Sequence, residues 1–341
     1  YAAAGWKELA QYRDVECLFI ARHSGTKGDT ALDPNLMRGI PARLLSEEEF
    51  NDKQLVLEIV KGHSPDVVFL SGWCFKAYRA LPKAPALKSC RFIMGMDTLR
   101  QYTWRQFAAR FLLRSYIRRM DAVFVPGERS WQYARYLGVD ERRIYRGALG
   151  VDVKAFKRGY ELRNKDDWPK RFLFVGRYLP VKGVDVLLKA YRKYREIVPD
   201  PWELTCCGKG ELADLLRDQP GVTDESFVSP QRQPELFSKH GALILPSRFE
   251  PWGQVIVEAC ASGLPVVCTQ ACGSAVELVR PLYNGMICAT NDVDSLVMQM
   301  AWIHKHHDQL SIMGRRSIDL AAPYSSEMWA VRMYGILKRS W

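Results

Sequence analysis

Short apolar runs, rich in β-branched residues, recur along the chain, and each is followed by a loop and a stretch with helical spacing. In the first half they fall at 15–21, 66–71, 90–95 and 121–127; in the second at 171–176, 202–208, 242–247, 264–269 and 285–290. The runs are continuous rather than alternating. That pattern predicts strands buried on both faces, as in parallel sheets covered by helices. The expected fold is therefore α/β, with two doubly wound parallel-sheet domains facing each other across a cleft. The boundaries read as 1–155 and 156–325. The stretch 156–171, FKRGYELRNKDDWPKR, is charged and poor in aliphatics, so it reads as a linker near residue 160. Residues 326–341 read as an amphipathic helix packing back toward the first domain. The chain opens in a helical pattern, where a doubly wound domain usually begins with a strand and a glycine-rich turn. The expectation is that the first strand is absent from this sequence.

In open parallel sheets, ligands bind beyond the carboxyl ends of the strands. The residues after the second-half strands are cations, glycines and carboxylates: Arg177 and Lys182-Gly183, then Lys209, then Arg248 to Gly253, then Gly273 and Glu277. The densest stretch is SRFEPWGQVIVEACASG, Ser247 to Gly263. A helix starting near Trp252 or Gly253 leaves free N–H groups and a positive dipole end, and glycine lets an anion come close to the backbone. Glu250 then projects from the loop. Glu258 lies among Val255, Ile256, Val257 and Ala259, and a buried carboxylate needs partners. The layout suits a phosphate flanked by hydroxyl-rich groups, as in a nucleotide sugar. The plainer alternatives are a cap acid at Glu250 and a solvated helix residue at Glu258. Arg177 and Lys182 read either as a diphosphate clamp or as surface cations.

Other motifs read more simply. Gly208 to Ala213 fits G-x-G-x-x-A, but in the second strand of its domain, where a plain strand–turn–helix is the expectation. Asp292 and Asp294 read as an N-cap rather than a metal pair. His304, His306 and His307 are split between helix faces.

Composition narrows the classes. The net charge of +11 calls for an anionic partner such as phosphorylated ligands, a membrane surface or nucleic acid. No nucleic-acid motif is present, so nucleic acid is not expected. Nine cysteines without a C-x-x-C pair fit thiols in a reducing compartment. No long apolar run and no signal-peptide pattern appear. A cytoplasmic protein, in contact with the inner membrane surface at most, is expected.

The pattern VGRYLPVKGVDVLLKAY, CCGKGEL, ILPSRFEPWGQVIVEACASGLPVV and GSAVELV…NG resembles family-4 retaining glycosyltransferases of the GT-B fold, over about 150 residues in the same order. The resemblance implies an enzyme, a hexosyltransferase acting without a required metal or prosthetic group. It would move a sugar from a nucleotide-sugar donor (UDP- or GDP-sugar) to a glycan, lipid-linked or small-molecule acceptor, as in polysaccharide biosynthesis. The front-face reaction would be assisted by the leaving diphosphate. It implies that Arg177 and Lys182 bind the diphosphate, that Glu250 faces the donor sugar and that Glu258 holds the ribose. Backbone groups of Pro251, Trp252, Gly253 and Gln254 would contact sugar and phosphate. Gly208 would belong to the donor site, and the loop at Arg232 would pass the base. Many members carry a His after the fourth strand of the first domain. Here the stretch reads IMGMDTLRQY, and Asp97 is the nearest polar candidate, either as a substrate contact or as a helix N-cap. Alternatives for the whole protein are a nucleotide-sugar epimerase and a non-catalytic nucleotide-sugar-binding protein.

Residues 98–120 form an arginine-rich amphipathic pattern. Trp104, Phe107, Ala108 and Phe111 share one stripe, and Arg110, Arg114 and Arg118 another. A membrane-surface helix touching anionic lipid would look so. The commoner arrangement, and the expectation, is a domain helix that packs its stripe on the sheet.

Overall fold

The computed structural model describes residues 2–22, 39, 41–163 and 167–339. They fall into two compact units, one of 1–150 with 326–341, the other of 151–325. The strands are β1 (Phe19–Arg22), β2 (Ala42–Leu45), β3 (Val67–Ser71), β4 (Arg91–Gly95), β5 (Ala122–Val125) and β6 (Ile144–Arg146) in the first unit. Those of the second are β7 (Arg171–Val175), β8 (Glu203–Cys207), β9 (Val222–Asp224), β10 (Ala242–Leu245), β11 (Val266–Thr269) and β12 (Gly285–Cys288). β2, β6 and β9 have no counterpart among the apolar runs. They are short and partly exposed, so they carry little hydrophobic signal.

In the second unit, six parallel strands lie in the order β12-β11-β10-β7-β8-β9. This is the doubly wound arrangement, with the first and fourth strands of the unit side by side. Every residue of β10 and β11 is buried, as a sheet covered on both faces requires. The first unit holds a parallel sheet β3-β4-β5-β6 and a separate parallel pair β1-β2.

Helix Ser326–Leu337 belongs to the first unit. Trp329 packs edge-on against Trp6, with centroids 4.6 Å apart, and donates from Nε1 to Ala148 O at 2.7 Å. Leu9, Ile93, Phe124 and Met333 complete that core.

The stretch 156–171 is not a linker. The change of unit falls at Gly150/Val151, and Val153–Leu162 is a helix capped by Asp152, which accepts from Ala155 N at 3.0 Å. Residues 164–166 of that stretch lie outside the described residues. Arg163 follows the helix, buried, and its guanidinium donates to the carbonyls of Phe237, Ser238, Ser262 and Gly263 at 3.0–3.3 Å. Burial pushes its pKa down to about 10. Lys157, Arg158, Glu161 and Arg171 of this stretch are exposed, but Arg163 serves carbonyls that need donors, and composition alone cannot distinguish the two.

The amphipathic stretch also differs from expectation. It breaks into helices Trp104–Leu112 and Arg114–Ile117, and the apolar stripe of the first faces outward. Gln106 turns inward instead. Its Oε1 accepts from Gln101 N at 2.6 Å and its Nε2 donates to Leu99 O at 2.5 Å. At about 100° per residue, that leaves positions 104, 107 and 111 roughly 100–160° away from the protein interior. The buried hydrogen bonds of Gln106 fix the helix rotation against the apolar periodicity. Among the described residues no helix is long and apolar enough to cross a membrane.

Candidate functional site

The second unit reverses its winding between β7 and β10, the switch point beyond whose carboxyl ends open α/β sheets place a ligand crevice. The β7 loop carries Arg177, Tyr178 and Lys182; the β10 loop carries Ser247 to Gly253. Backbone hydrogen bonds knit them together. Arg248 N donates to Val181 O at 2.8 Å and Gly273 N to Glu250 O at 2.9 Å, while Tyr178 N reaches Lys209 O at 2.8 Å. Gly183 shows how close the loops are: a Cβ there would lie 2.2 Å from Pro246 O, and its φ of +71° lies in the left-handed region.

Lys182 and Glu250, 68 residues apart, form an ion pair between Nζ and Oε2. Both side chains are largely withdrawn from solvent, at 14% and 13% exposure. The pair combines the cation read as a diphosphate ligand with the acid read as facing the sugar. Arg177 stands exposed on the same loop.

Two helices begin at these loops, Val184–Ile197 after Gly183 and the shorter Gln254–Ala261 after Gly253. Neither has a side-chain cap. The first has its positive end already answered. Asp185 lies in its first turn, and both of its carboxylate oxygens accept from the Arg248 fork at 2.7 Å. That fork holds the Asp185 carboxyl below its ordinary pKa. Arg248 also bonds Asn291 Oδ1 at 2.6 Å and Pro180 O, so it braces the loops rather than facing a ligand. The second helix has no acid in its first turn. Gly253, at φ +87°, caps it, and a Cβ there would press on Glu250 Cγ at 3.1 Å. Of the two, the Gly253–Gln254 terminus, with no acid in its first turn, is the candidate anion seat.

Around that seat, Pro251 is half-buried and Gln254 partly exposed, while Trp252 is buried with its ring tilted against Tyr324 at 5.5 Å. Glu258 is 1% exposed, one turn beyond Gln254 on the same helix. The Ser247 hydroxyl and Trp252 Nε1 have no hydrogen-bond partner among the described residues, although both are buried. Gly208 closes β8, its N–H donating to Ser226 O at 2.9 Å. Arg232 is exposed at the start of the short helix Gln233–Ser238. Asp97 lies in the other unit, two residues beyond β4. It caps no helix: Thr103 caps the next one, accepting from Gln106 N at 3.4 Å. Asp97 is exposed, yet the protein packed near its carboxyl raises its pKa above the ordinary value.

The remaining motifs take structural roles. Gly208–Ala213 leads into a single 3-10 turn, Ala213–Leu216, so there is no long helix N-terminus to seat a dinucleotide. Asp292 caps Val293–Lys305 by accepting from Ser295 N at 2.9 Å. His304 Nδ1 pairs with Tyr194 Oη at 2.7 Å, and His306 stacks on Trp302. Among the described residues no His, Cys, Asp or Glu group is placed to hold a metal. The sequence reading missed two braces of the crevice, Arg248–Asp185 and the Tyr178 hydroxyl donating to Asp224 Oδ1 at 2.7 Å. Their partners are 63 and 46 residues apart, so no local spacing signals them.

The architecture is the GT-B fold. The Anabaena protein HepE, solved in complex with UDP and glucose, superposes with a TM-score of 0.77 at 18% identity, covering 99% of this chain and 96% of that one. Residues 161–318, just under half the chain, match the family model described as glycosyl transferases group 1. An uncharacterized glycosyltransferase of Methanocaldococcus jannaschii is 29% identical over 181 residues, 51% of this chain and 42% of that protein. A glycogen synthase of Mycobacterium tuberculosis is 33% identical over 154 residues, 43% of this chain and 36% of that one. The matched part spans less than half the length of these curated relatives.

Proposed function

We propose that the protein is a retaining glycosyltransferase of family 4, transferring a sugar from a nucleotide-sugar donor to a hydroxyl-bearing acceptor without a metal. The observation that carries this reading is the Lys182–Glu250 pair beside the uncapped Gly253 helix terminus, at the divergence of β7 and β10. The donor diphosphate sits on the Gly253–Gln254 N–H groups, with Lys182 and Arg177 neutralising the charge that builds as it leaves. Glu258, at the floor of the same helix, accepts from the ribose hydroxyls. Glu250, released from Lys182, accepts from hydroxyls of the donor sugar. Trp252 Nε1 and Ser247 Oγ supply buried polar groups that have no partner among the described residues. Arg232 and Gly208 border the base side. The acceptor hydroxyl attacks from the face that the diphosphate leaves, and the departing phosphate oxygen takes its proton. Asp97 holds the acceptor. The match of residues 161–318 to group 1 glycosyl transferases and the fold shared with a UDP-bound protein both support this reading.

The test is a thermal-shift panel of UDP-, GDP- and ADP-sugars, followed by product analysis with and without acceptor. One donor saturating at a hundred times its Kd adds about 2.7 kcal/mol of stability. Product formed only with acceptor, with the anomeric configuration kept, is expected. Conversion of the donor alone to another nucleotide sugar would make the protein an epimerase, and absence of any turnover with donor bound would make it a binding protein.

A further inference from the structure

A surface on the first unit is independent of the donor crevice. Helix Trp104–Leu112 and the residue pairs beside it expose Tyr102, Trp104, Phe107, Phe111 and Leu112 at 79, 79, 45, 60 and 78%. Trp104 stacks on Phe107 with centroids at 5.0 Å, and Phe107 meets Phe111 edge-on at 5.4 Å, so the rings form one continuous outward ridge. Apolar side chains this exposed and this contiguous mark an interaction surface. Arg105, Arg110, Arg114 and Arg118 flank the ridge, all exposed, and no Asp or Glu occurs between Thr98 and Met120. Against the flank of the same helix lies a cavity of about 520 Å³, lined by Lys53, Lys76, Arg79, Lys83 and Arg105, with Trp73 at its wall and no carboxylate.

We propose that this face docks on an anionic phospholipid bilayer. The ridge of Trp104, Phe107, Phe111 and Leu112 enters the headgroup–acyl boundary while the cavity beside it takes a lipid phosphate. Charge complementarity selects this occupant. A ridge of rings bordered by cations on both sides, with no acid among them, matches a surface that is apolar beneath and negative above. A second copy of the chain would bring one set of arginines against another. The ridge is also convex, with its rings standing on a single helix face, so it inserts into a soft medium rather than cradling a protein helix. The proposal stands whether or not the transferase reading holds.

The experiment is co-sedimentation of the full chain with vesicles of phosphatidylcholine alone and of phosphatidylcholine mixed with phosphatidylglycerol, across salt concentrations. Binding to the mixed vesicles is expected to exceed binding to the neutral ones by about tenfold and to weaken as salt rises. The double variant Trp104→Ser, Phe111→Ser should lose about tenfold in binding to mixed vesicles. Lys76→Gln with Lys83→Gln should flatten the salt dependence. Both pairs are exposed, and an unchanged melting temperature verifies the fold. Equal binding to both vesicle types, no binding to either, or full binding by the aromatic variant overturns the proposal. So does competition by free inorganic phosphate as strong as that of the lipid, which would make the cavity a soluble-anion site. A dimer in lipid-free sedimentation velocity that the aromatic variant abolishes would also overturn it, making the ridge a self-association surface.

Discussion

Two helices of similar length break the ordinary rule of burial in opposite directions. Gln254–Ala261 hides a carboxylate: Glu258 is 1% exposed amid Ile256, Val257, Ala259 and Cys260. Trp104–Leu112 displays its rings and buries an amide, Gln106. Apolar periodicity alone assigns both helices the same way, apolar side in. What separates them is where polar groups find partners. Gln106 answers two backbone groups that would otherwise be stranded, whereas Glu258 lies one turn beyond the Gly253–Gln254 terminus, where the proposed function seats the donor. Neither departure follows from apolar periodicity, and each is where a binding proposal made above is anchored.

The largest effect is expected at the buried acid. If the proposed function places Glu258 correctly, Glu258→Ala removes the acceptor of the ribose hydroxyls, so transfer should fall about a thousandfold, roughly 4 kcal/mol, and donor protection against thermal unfolding should vanish. Undiminished protection would separate Glu258 from the ligand and dissolve the contrast.

Next comes His240, another buried polar group of the second unit. Its Nδ1–H donates to Leu236 O at 2.7 Å, and Nε2 has no partner among the described residues. Burial pushes its pKa down to about 4. The unfolded chain, near 6.5, therefore takes up the proton first, and stability falls as pH drops from about 6.5 to about 4, by about 3 kcal/mol in all. Urea unfolding across that window should show the slope, and His240→Phe should remove it.

Gly253→Ala follows. The left-handed φ disfavours any Cβ, and the added atom presses on Glu250, so a stability loss of about 1 kcal/mol is expected together with weaker donor binding. A calorimetric titration that finds wild-type donor affinity would remove the anion seat from the Gly253 terminus. The smallest effect belongs to the exposed helix. Trp104→Ser and Phe111→Ser should each alter urea stability by less than about 0.5 kcal/mol. A loss of several kcal/mol would mean that the rings are packed in solution and that the two helices do not differ as described.

Much of the fold was legible in the sequence. Continuous apolar runs place nine of the strands, because a sheet covered on both faces favours apolar residues at successive positions. The short strands β2, β6 and β9 escaped, since a few half-exposed residues carry no periodicity. The linker reading failed at Arg163, where charge serves buried carbonyls rather than water.

The sequence by itself determined the longer strands, their alternation with helices and the kinds of side chain at the strand ends, since these follow from local hydrophobic pattern and turn chemistry. Tertiary structure alone decided that Lys182 closes on Glu250, that Arg248 is spent on Asp185 and that the rings of the Trp104 helix face outward. Those outcomes depend on which distant backbone groups need a donor or an acceptor once the chain is packed, and that demand does not exist until the fold forms.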